Sequence, residues 1–351
     1  MASDPQGLPA VLVEAFSNGA GAGNGAAVVL LREPVEAAWM QRIARSLAQS
    51  ETAFLLETEA GWLLRWFTPC CEVNLCGHAT LAALLALGHW GRLQPGEGTG
   101  FHSRSGVLEV ALDPVRPGWG SLLLPSPGLS TQAPPAHLQA LLHHHDLGEV
   151  EAFWTSALGY SVALLPPSAD LEGLACPAAE LEGSLPNGLV LMQALEGGSA
   201  VLGTAGPLAG GLTAAAAQAP SGRGGSASGP KAPQLEGEAA DYQLRFFAPG
   251  LGIAEDPVTG SAHALVAPWW QERLGRPRVV GWQCSDRPGG MVCEAASSGM
   301  IRLLGCGHLL WDGTLRTGSE GPAAPAFAPC DGEASGSAAL WSAWRTATRC
   351  G

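Results

Sequence analysis

The stretch Leu64–Trp90 reads LRWFTPCCEVNLCGHATLAALLALGHW, and it has an echo at Leu244–Trp270, LRFFAPGLGIAEDPVTGSAHALVAPWW. Leu64, Arg65, Phe67 and Pro69 match Leu244, Arg245, Phe247 and Pro249 at a constant offset of 180. Three further residues bring Cys76-Gly77-His78-Ala79 onto Thr259-Gly260-Ser261-Ala262. Each copy reads as a strand, a proline-bearing loop, a glycine turn and an apolar helix. Two unrelated units can look alike, but the shared order of strand, breaker and helix favours a duplicated fold. The run LAALLAL (Leu81–Leu87) is apolar nearly all round, which predicts a helix enclosed by a sheet or barrel rather than lying on its surface. The two helix N-termini then fall at equivalent places about a pseudo-two-fold axis.

Around the two copies the chain reads mostly as short strands. They are expected at Val11–Phe16, Ala26–Leu31, Thr52–Glu57, Trp62–Thr68, Gly106–Leu112, Ser121–Leu124, Ser161–Leu165, Leu189–Ala194, Tyr242–Phe247 and Met300–Leu304. Glu36–Gln49 is expected to be a helix, with Trp39, Ile43 and Leu47 on one face. In residues 197–233, 28 of 37 are Gly, Ala, Ser or Pro, which predicts a flexible insertion because so little side chain can be buried. Residues 318–351 read as a low-complexity tail with one short helix at 338–348. Residues 1–130 are expected to form one half, joined by a strand near 308–317, and residues 131–307 the other.

Composition limits the function. The 351 residues are 46% apolar, with mean hydropathy +0.15, enough for a large core. The formal net charge of −13 argues against nucleic acid or an anionic membrane as a partner. It does not exclude an anionic substrate, because backbone dipoles can make a small site locally positive. The nine cysteines follow no disulfide framework, and residues 1–10 carry neither the basic region nor the apolar run of a signal peptide. A cytoplasmic protein with reduced thiols is expected, and no stretch is long enough to span a membrane.

A helix N-terminus offers unpaired N–H groups and the positive end of a dipole. Gly77 and Gly260 allow a ligand close to the backbone there, or simply start their helices. Two such termini facing each other make a pocket for a carboxylate or an enolate-like oxygen. Cys76 sits where a helix dipole lowers a thiol pKa, or is a small core residue. His78, by the same dipole, is expected neutral. Glu51 falls between the helix and the strand TAFLL, where desolvation would raise its pKa for proton transfer; the plainer alternative is a solvated loop carboxylate.

The strings SETAF (Ser50–Phe54), RWFTP…EVNLCGHATL (Arg65–Leu81) and GIAEDPVTGSAHAL (Gly252–Leu265) resemble the signature motifs of the phenazine biosynthesis PhzF-like family. WQCSDRPGGMV (Trp282–Val292) is similar to a later stretch of that family, and the resemblance spans about Val11–Thr317 outside the insertion. It implies an α+β fold of the diaminopimelate epimerase type: two pseudo-symmetric halves, each a mostly antiparallel sheet wrapped round a central helix. It also implies a homodimer. The implied activity is isomerisation of a small carboxylic acid by proton transfer, with no metal or organic cofactor. By resemblance Glu51 is the general acid/base. Gly77, Gly260 and Ser261 hold the substrate carboxylate, His78 and Asp256 orient the substrate and assist proton transfer, and Ser50 neighbours the base.

Related epimerases place a cysteine at the start of each helix. Here Cys76 has Thr259 as its counterpart, which disfavours a two-thiol racemase and leaves a one-cysteine dehydratase or epimerase open. A non-catalytic binding or regulatory protein on the same fold is the other alternative, and the trio Glu51, His78 and Asp256 weighs against it. The family's Gly-Asn-Pro turn is Gly23-Asn24-Gly25 here, and the late motif carries Pro288 after Arg287 and Met291 where glutamate is usual. Cys70, Cys71, Cys76 and His78 lack the spacing of a zinc site, so no metal is expected. His143–His145 reads as a solvated run, and no phosphate-binding glycine loop is present.

Overall fold

A computed structural model describes residues 7–316 except 184, 186–187, 196–231 and 298. The tail, its expected helix and all but the last two residues of the insertion lie outside the described residues. Two apolar helices, Gly77–His89 and Gly260–Leu274, organise the rest. Ala79, Thr80, Leu81, Ala82, Ala83 and Leu84 of the first are fully buried in an unbroken run that takes in every side of the helix, so it needs protein all round it. Each such leucine contributes about 1.5–3 kcal/mol on burial.

The strands supply that enclosure. In the first half, Leu8–Ala15, Asn24–Leu31, Glu51–Thr58, Gly61–Phe67, Gly98–Ser103, Gly106–Leu112, Trp119–Pro125 and Met300–Leu315 pair in turn, and the last pairs back to the first. Two of these pairings are parallel and the others antiparallel. The second half runs Met300–Leu315, Gly289–Ala295, Arg278–Gln283, Tyr242–Ala248, Leu189–Ala194, Ser161–Leu164, Ala152–Ser156 and Leu129–Thr131, again with two parallel pairings. Met300–Leu315 serves both halves: Ile301–Leu304 pair with Val292–Ala295 of the second, while residues up to Cys306 pair with Trp119–Pro125 and Gly307–Leu315 with Leu8–Ala15 of the first. This is the expected diaminopimelate epimerase-like architecture. Helix Ala37–Leu47 packs outside the first half, burying Trp39, Met40 and Ala44 against Phe54, Leu56, Leu63 and Phe67.

Side chains repeat with the backbone. Arg65 pairs with Glu72 at 2.6 Å and lies 5.2 Å from the Phe67 ring; Arg245 pairs with Glu255 at 2.6 Å and lies 5.1 Å from the Phe247 ring. Ser105 donates to the Asn74 carbonyl at 2.8 Å, and Ser285 donates to the Pro257 carbonyl at 2.8 Å. These matched contacts make chance similarity of the two copies untenable.

Several strands differ from the sequence reading. Gly98–Ser103 (GTGFHS) has little β-propensity and is a strand because the first circuit closes through it. Ala152–Ser156, Arg278–Gln283 and Gly289–Ala295 are likewise strands because the second half pairs through them. The expected strands at Met300–Leu304 and near 308–317 are one continuous strand, Met300–Leu315, whose second part pairs with Leu8–Ala15. Helix Ala136–His144 is a further element that the sequence reading does not contain; the solvated histidine run ends it.

Candidate active site

The two central helices begin face to face. A Cβ on Gly77 would lie 3.6 Å from the Cα of Gly260. Cys76 and Thr259 occupy the N-cap positions with extended backbones, and neither side chain caps its helix. The first-turn N–H groups are therefore left without a side-chain cap, with two positive dipole ends converging on one place.

Around this place the structure gathers the expected residues from both halves. Glu51 opens the strand Glu51–Thr58 and is buried. His78, in the first turn of its helix, puts Nε2 3.0 Å from Glu51 Oε2. That is an ion-pair distance, but the ring N–H is not aligned on the oxygen, and buried Oε2 receives no hydrogen bond. Cys76 Sγ lies 3.5 Å from His78 Nδ1.

Charge states here run opposite to the sequence reading. Burial pushes the Glu51 carboxyl up, but the charge and nearness of His78 outweigh burial and hold it below its ordinary value. Burial alone would lower the His78 pKa; Cys76 and Glu51 reverse that and raise it well above its ordinary value. Burial, then the Glu51 charge, pushes the Cys76 thiol up, so Cys76 is a thiol at neutral pH and the carboxylate is the partner that charges His78. The ion pair thus corrects the expected raised Glu51 and neutral His78, and burial before any charge corrects the expected dipole-lowered Cys76.

A hydrogen-bond chain crosses from this pair to the other half. Ser50 Oγ lies 3.1 Å from His78 Nε2 and donates to Asn24 Oδ1 at 2.9 Å and the Gly25 carbonyl at 2.8 Å. Asn24 Nδ2 donates to Asp256 Oδ1 at 2.7 Å, and the Thr259 hydroxyl donates to Asp256 Oδ2 at 2.6 Å. Gln283 fixes the start of the second helix: its Oε1 accepts from Thr259 N–H at 2.8 Å, and its Nε2 donates to the Asp256 carbonyl at 2.5 Å. Burial pushes the Asp256 carboxyl up to about 6; the His78 charge opposes this and the Glu51 charge adds to it. Two carboxyls of one site are thereby pushed apart, the arrangement that separates a base from an acid.

Ser261 lies 3.3 Å from the Tyr160 hydroxyl, whose pKa burial raises, so Tyr160 stays a neutral donor. Tyr160 stands at a place where the halves differ. Thr52 is opposite Phe67 and Leu189 is opposite Phe247, so the counterpart of Glu51 is Gly188. Gly188 has φ +128°, and a Cβ there would come within 2.7 Å of Phe246 and 3.1 Å of Tyr160. The second half has no room for a second glutamate.

Asn24, Tyr160 and Gln283 escaped the sequence reading. Asn24 lies in the glycine turn and Gln283 in the late motif, so a signal was present for both; Tyr160 had none. Glu72 and Glu255 are engaged by arginines. His263 is buried inside its barrel, 2.9 Å from the Tyr242 hydroxyl, with burial lowering its pKa to about 3. A cavity of about 320 Å³ bordered by Leu85, His89, Leu93 and Trp119 lies at the far end of the first helix and holds none of these groups.

Residues 13–174 and 222–305 match the model of the phenazine biosynthesis-like protein family. The chain belongs to this family. It is 33% identical to an uncharacterized isomerase of Pseudomonas aeruginosa over 304 residues, 87% of this chain and 97% of that one. It is 32% identical to the human phenazine biosynthesis-like domain-containing protein over 323 residues, covering 88% and 99% of the two chains. The crystal structure of a PhzF-family protein from Enterococcus faecalis superposes with a TM-score of 0.70 at 25% identity, over 88% of this chain and 99% of that one. Among the described residues no helix is long and apolar enough to cross a membrane.

Proposed function

We propose that this chain is an isomerase that moves a proton between carbon atoms of a small, unsaturated carboxylic acid. The observation that carries the reading is the asymmetry of a duplicated site. One half supplies a buried Glu51 carboxylate, ion-paired with His78, and the other supplies glycine at the matching place and Asp256 with a raised pKa. Family membership and relatives named as isomerases support the same class.

The substrate carboxylate sits at the two uncapped helix starts beside Gly77, Gly260 and Ser261, where N–H dipoles favour negative charge. Glu51 takes a proton from carbon through Oε2, and the electron pair of that C–H bond spreads through the unsaturated system toward the bound carboxylate. A proton then returns to a second carbon, from Glu51 or from protonated Asp256. One C–H bond breaks, one forms, and no electrons are gained or lost. His78, held by Ser50, keeps Glu51 ionised between turnovers. The high pKa of Cys76 weighs against thiolate chemistry at neutral pH.

The test is incubation in D₂O with a panel of hydroxylated unsaturated carboxylic acids, read by NMR for carbon-bound deuterium. Wild type should incorporate deuterium, and Glu51→Gln should be about 10²–10⁴-fold slower. Equal exchange in Glu51→Gln with loss in Cys76→Ala would transfer the chemistry to the thiol. Acids that bind without exchanging would make the chain a binding protein.

A further inference from the structure

We propose that Glu51, Cys76 and His78 together form a capture site for a thiophilic divalent cation, Zn²⁺ or Cd²⁺, whose entry shuts off the acid–base pair. The inference goes beyond the proposed isomerisation, because it stands on the donor atoms whatever reaction they serve. Sequence spacing offered no metal site, since it grouped Cys76 and His78 with Cys70 and Cys71. The fold instead brings Glu51 to them from another strand.

One carboxylate oxygen, one sulfur and one imidazole nitrogen lie within 4.8 Å of one another, all on buried residues. His78 Nε2 is 3.0 Å from Glu51 Oε2 and 3.9 Å from Cys76 Sγ. The bond lengths of four-coordinate zinc put its donors about 3.4–3.6 Å apart, so small side-chain shifts suffice to close on an ion. Glu51 Oε2 is buried without a hydrogen bond, an oxygen with lone pairs to give. Three protein ligands leave a fourth position for water or a substrate oxygen.

The donor types select the ion. A thiolate and an imidazole favour zinc and cadmium, and discriminate against Mg²⁺ and Ca²⁺. Carboxylate and thiolate together cancel the charge of a dication, so the nearby helix N-termini face a neutral cluster. The ion replaces the thiol proton and the imidazole proton, both of which leave to solvent. With Glu51 and His78 held on metal, no base remains for a C–H bond.

Titration with Cd²⁺ tests this without any substrate, by the ultraviolet cadmium–thiolate charge-transfer band. Wild type should develop the band at one equivalent. Cys76→Ser should lose it, and Glu51→Gln should bind about a hundred-fold more weakly. The exposed Cys70 and its neighbour Cys71 remain in both variants as internal controls. The surface group His144, His145 and Glu180 has no sulfur and gives no such band. No band in wild type, or a band that persists in Cys76→Ser, overturns the proposal. X-ray absorption of the one-to-one zinc form of wild type supplies a measurement free of mutation: one sulfur with nitrogen and oxygen neighbours is expected, and a shell without sulfur overturns the site.

Discussion

Replacing Asp256 with asparagine should change how stability depends on pH. In the folded chain burial holds the carboxyl at about 6, against 3.8 for the free side chain. The folded pKa is therefore raised. Its protonated form contributes stability that is fully present below about 3.8 and is lost as pH rises through about 6. Two units correspond to about 3 kcal/mol at full burial. Asp256 is partly exposed, and solvent screening brings the expectation to about 1–3 kcal/mol. Asparagine preserves shape and hydrogen bonding: its oxygen still accepts from Asn24, and its amide can donate to the Thr259 hydroxyl. Urea unfolding of both proteins, followed by tryptophan fluorescence from pH 4 to pH 8, measures the difference. The Asp256→Asn variant should gain about 1–3 kcal/mol on wild type across that range, the change falling between about pH 4 and pH 6 and levelling off above. A flat difference would show that Asp256 is an ordinary carboxylate, and the separation of acid from base in this site would fall with it.

A methyl at Gly77 meets Gly260 Cα and Leu124 at 3.6 Å, ordinary contact, so Gly77→Ala should fold with unchanged melting temperature. It narrows the gap between the helix starts and should lower kcat/KM for deuterium exchange by about 10–100-fold, the value of a charged hydrogen bond; full activity would remove the carboxylate from that place. The two arginine pairs should differ in weight. Arg245 is almost fully buried and also serves the Leu171 and Leu174 carbonyls, so Arg245→Met should cost about 3–5 kcal/mol. Arg65→Met leaves Glu72 with Arg104 at 2.9 Å and should cost about 1–2 kcal/mol; equal losses in calorimetry would refute the ranking.

The sequence by itself determined the duplication and the two enclosed helices, and it left Glu51 open between a desolvated base and a solvated loop carboxylate. The first two are local facts: apolar residues on every side of a helix, glycine at its start, and a repeated order of strand, breaker and helix. Only the tertiary structure decided the ionisation of the site. Glu51 and His78 are far apart in the chain and 3.0 Å apart in space, and the sign of a pKa shift depends on which charge stands beside a buried group. Asn24 reaches Asp256 across the two halves for the same reason, and so Asn24 passed as a turn residue. The strand GTGFHS became legible only through the neighbours that close the barrel, because backbone pairing can impose a strand that side chains do not favour. What makes the site asymmetric is likewise tertiary: Phe246 and Tyr160 fill the place of a second glutamate, so two copies of one unit yield a single base.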